Sequence, residues 1–261
     1  MIKTFVINMK DSKNRWESVK TQLERFWIDY ERIEWTNPKL MTKHEIDLIY
    51  DEDLSLKKHP PKWMNLATIG CAHSHFKIYE RIVKEKIPLA LVLEDDVIIS
   101  EKVKLLYERF DCFIENKKGK SLKWEYLSMN YGFFGLKKLC NHICISYRKL
   151  FLKKKILSFI VYVIGWFVYS VLDFFPWVVS KMFWTIIIKR YRPFYLSWWY
   201  FVSYYWAKKL LEINNKVFTY ADYLPEMCTN YKYGGLKFFV TVPVLVVQDR
   251  KHFISTIDHD C

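Results

Sequence analysis

The spacing of hydrophobic positions along this 261-residue chain changes several times, and each change marks an element. Lys3 to Met9 is apolar and β-branched, then gives way to the polar Lys10-Asp11-Ser12-Lys13-Asn14. That predicts a buried first strand and a loop entering a helix, with Ser12 as N-cap. Trp16, Val19, Leu23 and Phe26 recur at helical spacing, the pattern of an amphipathic helix lying on a sheet. Tyr30 to Trp35 predicts a short second strand, and the polar stretch from Asn37 to the Pro60-Pro61 pair predicts a loop with a short helix. Asn65 to Lys84 is helical again. After Pro88, Leu89-Ala90-Leu91-Val92-Leu93 is an unbroken apolar run that stops at three acids, Glu94-Asp95-Asp96. A central strand buried on both faces reads this way, with its carboxyl end opening on a site. Lys102 to Glu115 predicts a further amphipathic helix, and Trp124 to Met129 and Phe238 to Val247 predict further strands.

One stretch breaks the pattern. From Ile156 to Ile188 only Asp173 and Lys181 are charged, and Arg148-Lys149, Lys153-Lys154-Lys155 and Lys189-Arg190-Tyr191-Arg192 bracket it. The net charge of +13 calls for an anionic partner: nucleic acid, a phospholipid surface or a phosphorylated substrate. The placement of the cations selects an anionic membrane surface. No nucleic acid is expected as partner, because the aromatics concentrate inside the apolar stretch instead of alternating with Lys and Arg along a groove. Ile156 to Leu172 approaches the lower limit of roughly 17 residues for a spanning helix. A single crossing, however, would put Glu94 and Asp222 on opposite sides of the bilayer, and the whole stretch is too short for two crossings. The expectation is a shallow or re-entrant helical hairpin, bent near Asp173 and Pro176 and seated monotopically or peripherally at the cytoplasmic face. The alternative is a soluble hydrophobic subdomain or an oligomer interface.

The chain thus divides into residues 1–147, a hydrophobic helical insertion at 148–197, and a return to the first domain at 198–261. A 51% hydrophobic and 18% aromatic composition excludes a disordered chain, and only 7 Gly and 8 Pro argue against a loop-rich all-β fold. Six cysteines behind a start, Met1 to Phe5, that runs directly into a strand predict free thiols in a reducing compartment. Cys140, His142 and Cys144 have no second pair at zinc-finger spacing.

In an extended segment alternate side chains share a face, so Glu94 and Asp96 are expected together, with Asp95 turned away. Two carboxylates on one side form a hard-oxygen site suited to Mg²⁺ or Mn²⁺. Solvated loop acids or a structural ion pair would give the same triplet, and metal-dependent phosphatases and nucleases also carry acids at strand ends.

Three further segments narrow the choice. Phe5-Val6-Ile7-Asn8-Met9 with Ser12 and Arg15, then Ile69-Gly70-Cys71-Ala72-His73-Ser74-His75, then Leu91-Val92-Leu93-Glu94-Asp95-Asp96-Val97 together resemble glycosyltransferase family 25, which includes bacterial lipooligosaccharide glycosyltransferases and procollagen galactosyltransferase-like proteins. Weaker likenesses follow in the same order at Trp124-Glu125-Tyr126-Leu127, Phe201-Val202-Ser203, Ala207 to Leu211 and Tyr220-Ala221-Asp222.

The resemblance implies an α/β fold of GT-A type with a central, mostly parallel sheet. It also implies a nucleotide-sugar donor, commonly UDP-galactose, a divalent cation (Mn²⁺ or Mg²⁺), a glycan or glycolipid acceptor, and inversion at the anomeric carbon. Carried over position by position, Glu94 and Asp96 are similar to the family's donor and metal carboxylates. Asn8 and Arg15 fall at the first loop near the nucleotide, where a guanidinium can pair with diphosphate. Ser74 and His75 match a Ser-His pair expected to line the donor pocket, His75 having the second reading of a core histidine bonded to backbone. Asp222 is the first candidate for the base that activates the acceptor hydroxyl, and Glu226 the second. Thr68 in place of a common acid, Trp35-Thr36 in place of a smaller residue, and the apolar middle depart from the family pattern. The competing reading is a membrane-attached, non-catalytic scaffold or binding protein with a degenerate transferase fold.

Overall fold

The structure is a computed structural model and describes residues 2–58, 64–116, 126–129, 186–190, 199–229, 238–242, 245–249 and 251–253. Lys3–Asn8 forms β1, Lys13–Arg25 α1 and Glu31–Glu34 β2. A 3₁₀ turn at Pro38–Leu40 precedes α2 (Lys43–Ile49) and α3 (Glu52–Lys58), so the expected loop carries two short helices. Thr42 starts α2 with a reciprocal capping box to Glu45. Then come α4 (Leu66–Lys84), β3 (Leu89–Glu94), β4 (Val97–Ile99), α5 (Lys102–Asn116), β5 (Tyr126–Ser128), β6 (Ile186–Arg190), β7 (Tyr200–Ser203), α6 (Tyr204–Ile213), α7 (Leu224–Thr229), β8 (Phe238–Val242) and β9 (Val246–Gln248).

A seven-stranded sheet runs β2-β1-β3-β7-β5-β8-β6, and β4 pairs with β9 in a second, two-stranded sheet. Five of the seven strands point one way, while β7 and β6 are reversed. The mixed α/β architecture and its mostly parallel sheet are therefore as the sequence suggests. Alternation along β3 builds both faces. Leu89, Leu91 and Leu93 pack with Val19 and Leu23 of α1 and Val103, Leu106 and Phe110 of α5. Ala90 and Val92 pack with Ile78, Tyr79 and Ile82 of α4 and with Trp206, Ala207 and Leu210 of α6.

Three details differ from the sequence reading. Ser12 stands at the N-cap of α1, but its side chain makes no capping bond; its carbonyl instead accepts from Asn8 Nδ2 at 3.2 Å. The expected strand from Phe238 to Val247 is two strands in two sheets, on either side of Pro243, a residue that cannot donate a ladder hydrogen bond. Within the hydrophobic insertion, expected to be helical, Ile186–Arg190 is an edge strand antiparallel to β8, in keeping with the β-branched Ile186-Ile187-Ile188 run. The rest of the insertion, 148–185 and 191–197, lies outside the described residues, as do Cys140, His142 and Cys144. Among the described residues no helix is long and apolar enough to cross a membrane.

Candidate active site

The acids sit where β3 ends. Leu89 to Leu93 are wholly buried, and Glu94 is the last strand residue, continuing the Ala90–Val92 face toward α4. Asp95 and Asp96 then occupy a bend, and Val97 opens β4. Strand alternation thus stops at Glu94, so whatever brings Glu94 and Asp96 together comes from the turn.

Helix α4 supplies the wall opposite Glu94. The Asn65 side chain caps it, accepting from Thr68 N at 2.8 Å. With the helix started there, Cys71, His75, Ile78, Tyr79 and Ile82 fall on the sheet-facing stripe. His75 Nε2 lies 3.3 Å from Glu94 Oε1, and the Cys71 thiol donates to the same oxygen at 3.8 Å. His75 Nδ1 is 2.8 Å from the Tyr200 hydroxyl on β7, which is in turn 2.6 Å from the Tyr79 hydroxyl. Burial pushes His75 down to about 4, leaving a neutral ring at physiological pH. Glu94 is held well above the usual carboxylate range, first by burial and then by the charges of Asp96, Asp95 and Asp222. Burial and the neighbouring Glu94 and Asp222 charges raise the Cys71 thiol as well.

The other face of α4 grips the loop after β2. Ser74 Oγ donates to Gly70 O at 2.7 Å and accepts from Thr36 N at 2.8 Å, and Thr36 Oγ1 is 2.9 Å from His73 Nδ1. Gly70 permits the approach, because a Cβ there would stand 2.3 Å from the Thr36 carbonyl oxygen.

Asp95 and Asp96, 6% and 4% exposed, turn to other partners. Asn8 Nδ2 donates to Asp95 Oδ2 at 2.5 Å, and Arg15 Nη1 approaches Asp95 Oδ1 at 3.4 Å. Burial raises Asp95, and the Asn8 hydrogen bond and Arg15 charge oppose that rise. Asp96 Oδ2 accepts from Gln248 Nε2 at 2.7 Å, and its carbonyl accepts from Asp249 N at 2.8 Å. Its Oδ1 is buried with no hydrogen-bond partner among the described residues. The segment around β9 continues over the site, with Phe253 under the Arg15 guanidinium at 5.6 Å. Asp222 lies half-buried in the turn before α7, close enough for its charge to act on Glu94 and Cys71.

Residues 1–224 match the model of glycosyltransferase family 25 (LPS biosynthesis protein). The chain belongs to this family. Membership makes it a glycosyltransferase, and the match runs from β1 through Asp222. No curated protein matches the chain.

For a family 25 glycosyltransferase the arrangement divides the sequence candidates into groups. Asp96 and Asp222 both act electrostatically on Glu94. Asn8 and Arg15 stand beside them, both directed at Asp95. His75 faces Glu94, while Ser74 faces the Thr36 loop. Glu226 belongs to α7, and its side chain lies outside the described residues. Sequence reasoning missed Tyr200, Tyr79 and Gln248. Tyr200 directly precedes the Phe201-Val202-Ser203 likeness but is one of 18 tyrosines, and Gln248 is an isolated amide at a strand end. Neither carries a local signal.

The donor chemistry fits a hard divalent cation at Glu94 and Asp96. A cation would satisfy the orphaned Asp96 Oδ1 and offset the burial and the neighbouring acidic charges that raise Glu94. Cys71, His75 and Glu94 also place ligand atoms within 4.8 Å of one another. Both nitrogens of that imidazole are already engaged and the thiol holds its proton, so this trio supports Glu94 instead of forming a thiolate seat.

Proposed function

We propose that this glycosyltransferase moves a hexose such as galactose from a UDP-sugar to a glycan or glycolipid in lipopolysaccharide or lipooligosaccharide biosynthesis, with inversion and with Mn²⁺ or Mg²⁺. One observation carries the reading. At the carboxyl end of a buried strand, in a chain of this family, Glu94 is bonded from α4 and Asp96 from β9, and one buried oxygen of Asp96 has no hydrogen-bond partner among the described residues. A GT-A-type donor site is the reading that best uses such a strand end.

Bound at Glu94 and Asp96, the cation would offset the charge that builds on the departing diphosphate. Glu94 is held from α4, whose His75 is held in turn by Tyr200 of β7, and Asp96 is held from β9, so neither must reorganise as that charge develops. Arg15, stacked on Phe253 and paired with Asp95, contributes a fixed positive charge beside the first loop. Asp222 takes the proton from the acceptor hydroxyl, on the face opposite the leaving group that an inverting displacement demands. Attachment to the cytoplasmic face of an anionic membrane, through the apolar run and its cationic flanks, would bring a glycolipid acceptor within reach.

The deciding experiment measures UDP release from a panel of UDP-sugars with and without Mn²⁺. Asp96→Ala and Glu94→Ala are each expected to abolish metal-dependent release while retaining the fold. Turnover at wild-type rate in Asp96→Ala defeats the assignment. Asp222→Asn is expected to keep donor and Mn²⁺ affinity and to lose about 10²–10⁴-fold in transfer. For the membrane, a linker replacing the apolar segment should end before Ile186, so that β6 is kept. The full chain should sediment with anionic vesicles, and the shortened chain should not.

A further inference from the structure

The groups that face Glu94 form a continuous line of buried hydrogen bonds drawn from three elements. Tyr79 and His75 lie one turn apart on α4, Tyr200 is on β7, and Glu94 ends β3. Tyr79, His75 and Tyr200 are each at most 2% exposed. Their contacts run Tyr79 hydroxyl to Tyr200 hydroxyl at 2.6 Å, Tyr200 hydroxyl to His75 Nδ1 at 2.8 Å, and His75 Nε2 to Glu94 Oε1 at 3.3 Å.

A polar line in an otherwise apolar core needs each donor matched to an acceptor. A neutral imidazole has one N–H, and a phenol has one O–H. If Nε2–H donates to the carboxylate, Nδ1 must accept, and the Tyr200 hydroxyl is the donor within reach. The Tyr200 oxygen can then accept from the Tyr79 hydroxyl. Every donor is used once, and all of them run toward Glu94. The order holds whether the Glu94 proton is absent or sits on Oε2. Among the described residues, both hydrogen bonds that reach Glu94, from His75 and from Cys71, end on Oε1.

We propose that Tyr79, Tyr200 and His75 are positioning residues that fix the Glu94 carboxylate through Oε1, so that Oε2 is the atom presented to a divalent cation. The proposal rests on the cation-binding reading of Glu94 and adds the residues that orient it. A ligand's outer partners set its orientation, and losing one costs roughly 10- to 100-fold in metal affinity. Tyr200→Phe deletes the only hydroxyl that touches both neighbours in the line. The imidazole is then free to move its proton to Nδ1 and withdraw the bond from Glu94. Stacking of Tyr200 on Tyr126, with ring centroids 4.5 Å apart, is retained by phenylalanine, so the core stays filled.

The test is a Mn²⁺ titration of the full chain, followed by the electron paramagnetic resonance signal of free Mn²⁺, with thermal melting of each variant in parallel. Tyr200→Phe is expected to bind Mn²⁺ about 10- to 100-fold more weakly than wild type while melting cooperatively. His75→Gln, whose side-chain amide can still donate to Oε1, should bind more tightly than His75→Leu. Should Tyr200→Phe not fold, Tyr79→Phe gives the same reading one step further out, with a smaller loss. Unchanged Mn²⁺ binding in Tyr200→Phe, or equal losses in His75→Gln and His75→Leu, would overturn the proposal. Glu94→Gln separates the two levels: if it loses Mn²⁺ while Tyr200→Phe does not, the positioning idea alone fails. If Glu94→Gln binds like wild type, the cation-binding reading fails and the proposal goes with it.

Discussion

The two faces of one sheet do different work. On the α1–α5 face, Leu89, Leu91 and Leu93 of β3 meet aliphatic and aromatic side chains. On the α4–α6 face, Ala90 and Val92 meet a layer that also holds Tyr79 and Tyr200, and Glu94 continues that face into His75. The first face supplies burial of apolar area, which stabilises in proportion to the surface removed from water. The second gives up part of that gain to keep polar groups in the interior, where each must find a partner. On this second face the buried polar groups form a line that ends on Glu94, so a single strand serves both as scaffold and as the base of the site.

The contrast is most readily broken by mutation on the apolar face. Leu91→Ala removes a wholly buried side chain and should cost about 2–5 kcal/mol of stability by denaturant unfolding. Its Mn²⁺ affinity in the folded state should be unchanged, and a specific loss of cation binding would erase the division between faces.

The polar face should reveal itself in acid. His75 is buried neutral, with its pKa lowered from 6.5 to about 4. Above about pH 6.5 the ring is neutral both folded and unfolded, and its contribution is complete. As pH falls from 6.5 toward 4 the unfolded chain takes up a proton that the folded chain resists, so stability declines by about 3 kcal/mol. Unfolding curves across this range should show the decline, and His75→Gln should flatten it.

Gly70→Ala tests the outer side of α4. The added Cβ would meet backbone, the Thr36 carbonyl, together with Pro38 and Trp35. A loss of about 1–3 kcal/mol is expected, with the Ser74–Thr36 bond loosened, as amide hydrogen exchange at Thr36 would report. The smallest effect has the opposite sign. Glu94 is raised by burial and by Asp96, Asp95 and Asp222, so its contribution to stability is present below the unfolded carboxyl value and is lost as pH rises through the folded one. Glu94→Gln in metal-free buffer near neutral pH should therefore melt slightly above wild type, even as it is expected to lose donor turnover. A lower melting temperature would mean that Glu94 is a structural acid.

Much of this was legible along the chain because it depends on local period and composition. The apolar run of β3 ending at Glu94, the helical stripe of α4 and the strand at Lys3–Asn8 follow from which residues alternate and which recur each turn. The ordered likenesses from Phe5 to Asp222 marked the family, because short motifs survive as sequence. The strand character of Ile186–Arg190 was hidden by the apolar run that contains it, since hydrophobicity alone does not separate a buried strand from a helix. What only the tertiary structure decided was partnership. Asp95 turns to Asn8 and Arg15, Asp96 to Gln248 some 150 positions away, and Glu94 to His75, which Tyr200 supports from another strand. A bend of two residues breaks the alternation that relates neighbouring carboxylates. Hydrogen bonds between distant elements leave no periodic trace in the sequence, so the direction each acid faces is settled by which strands the sheet brings side by side.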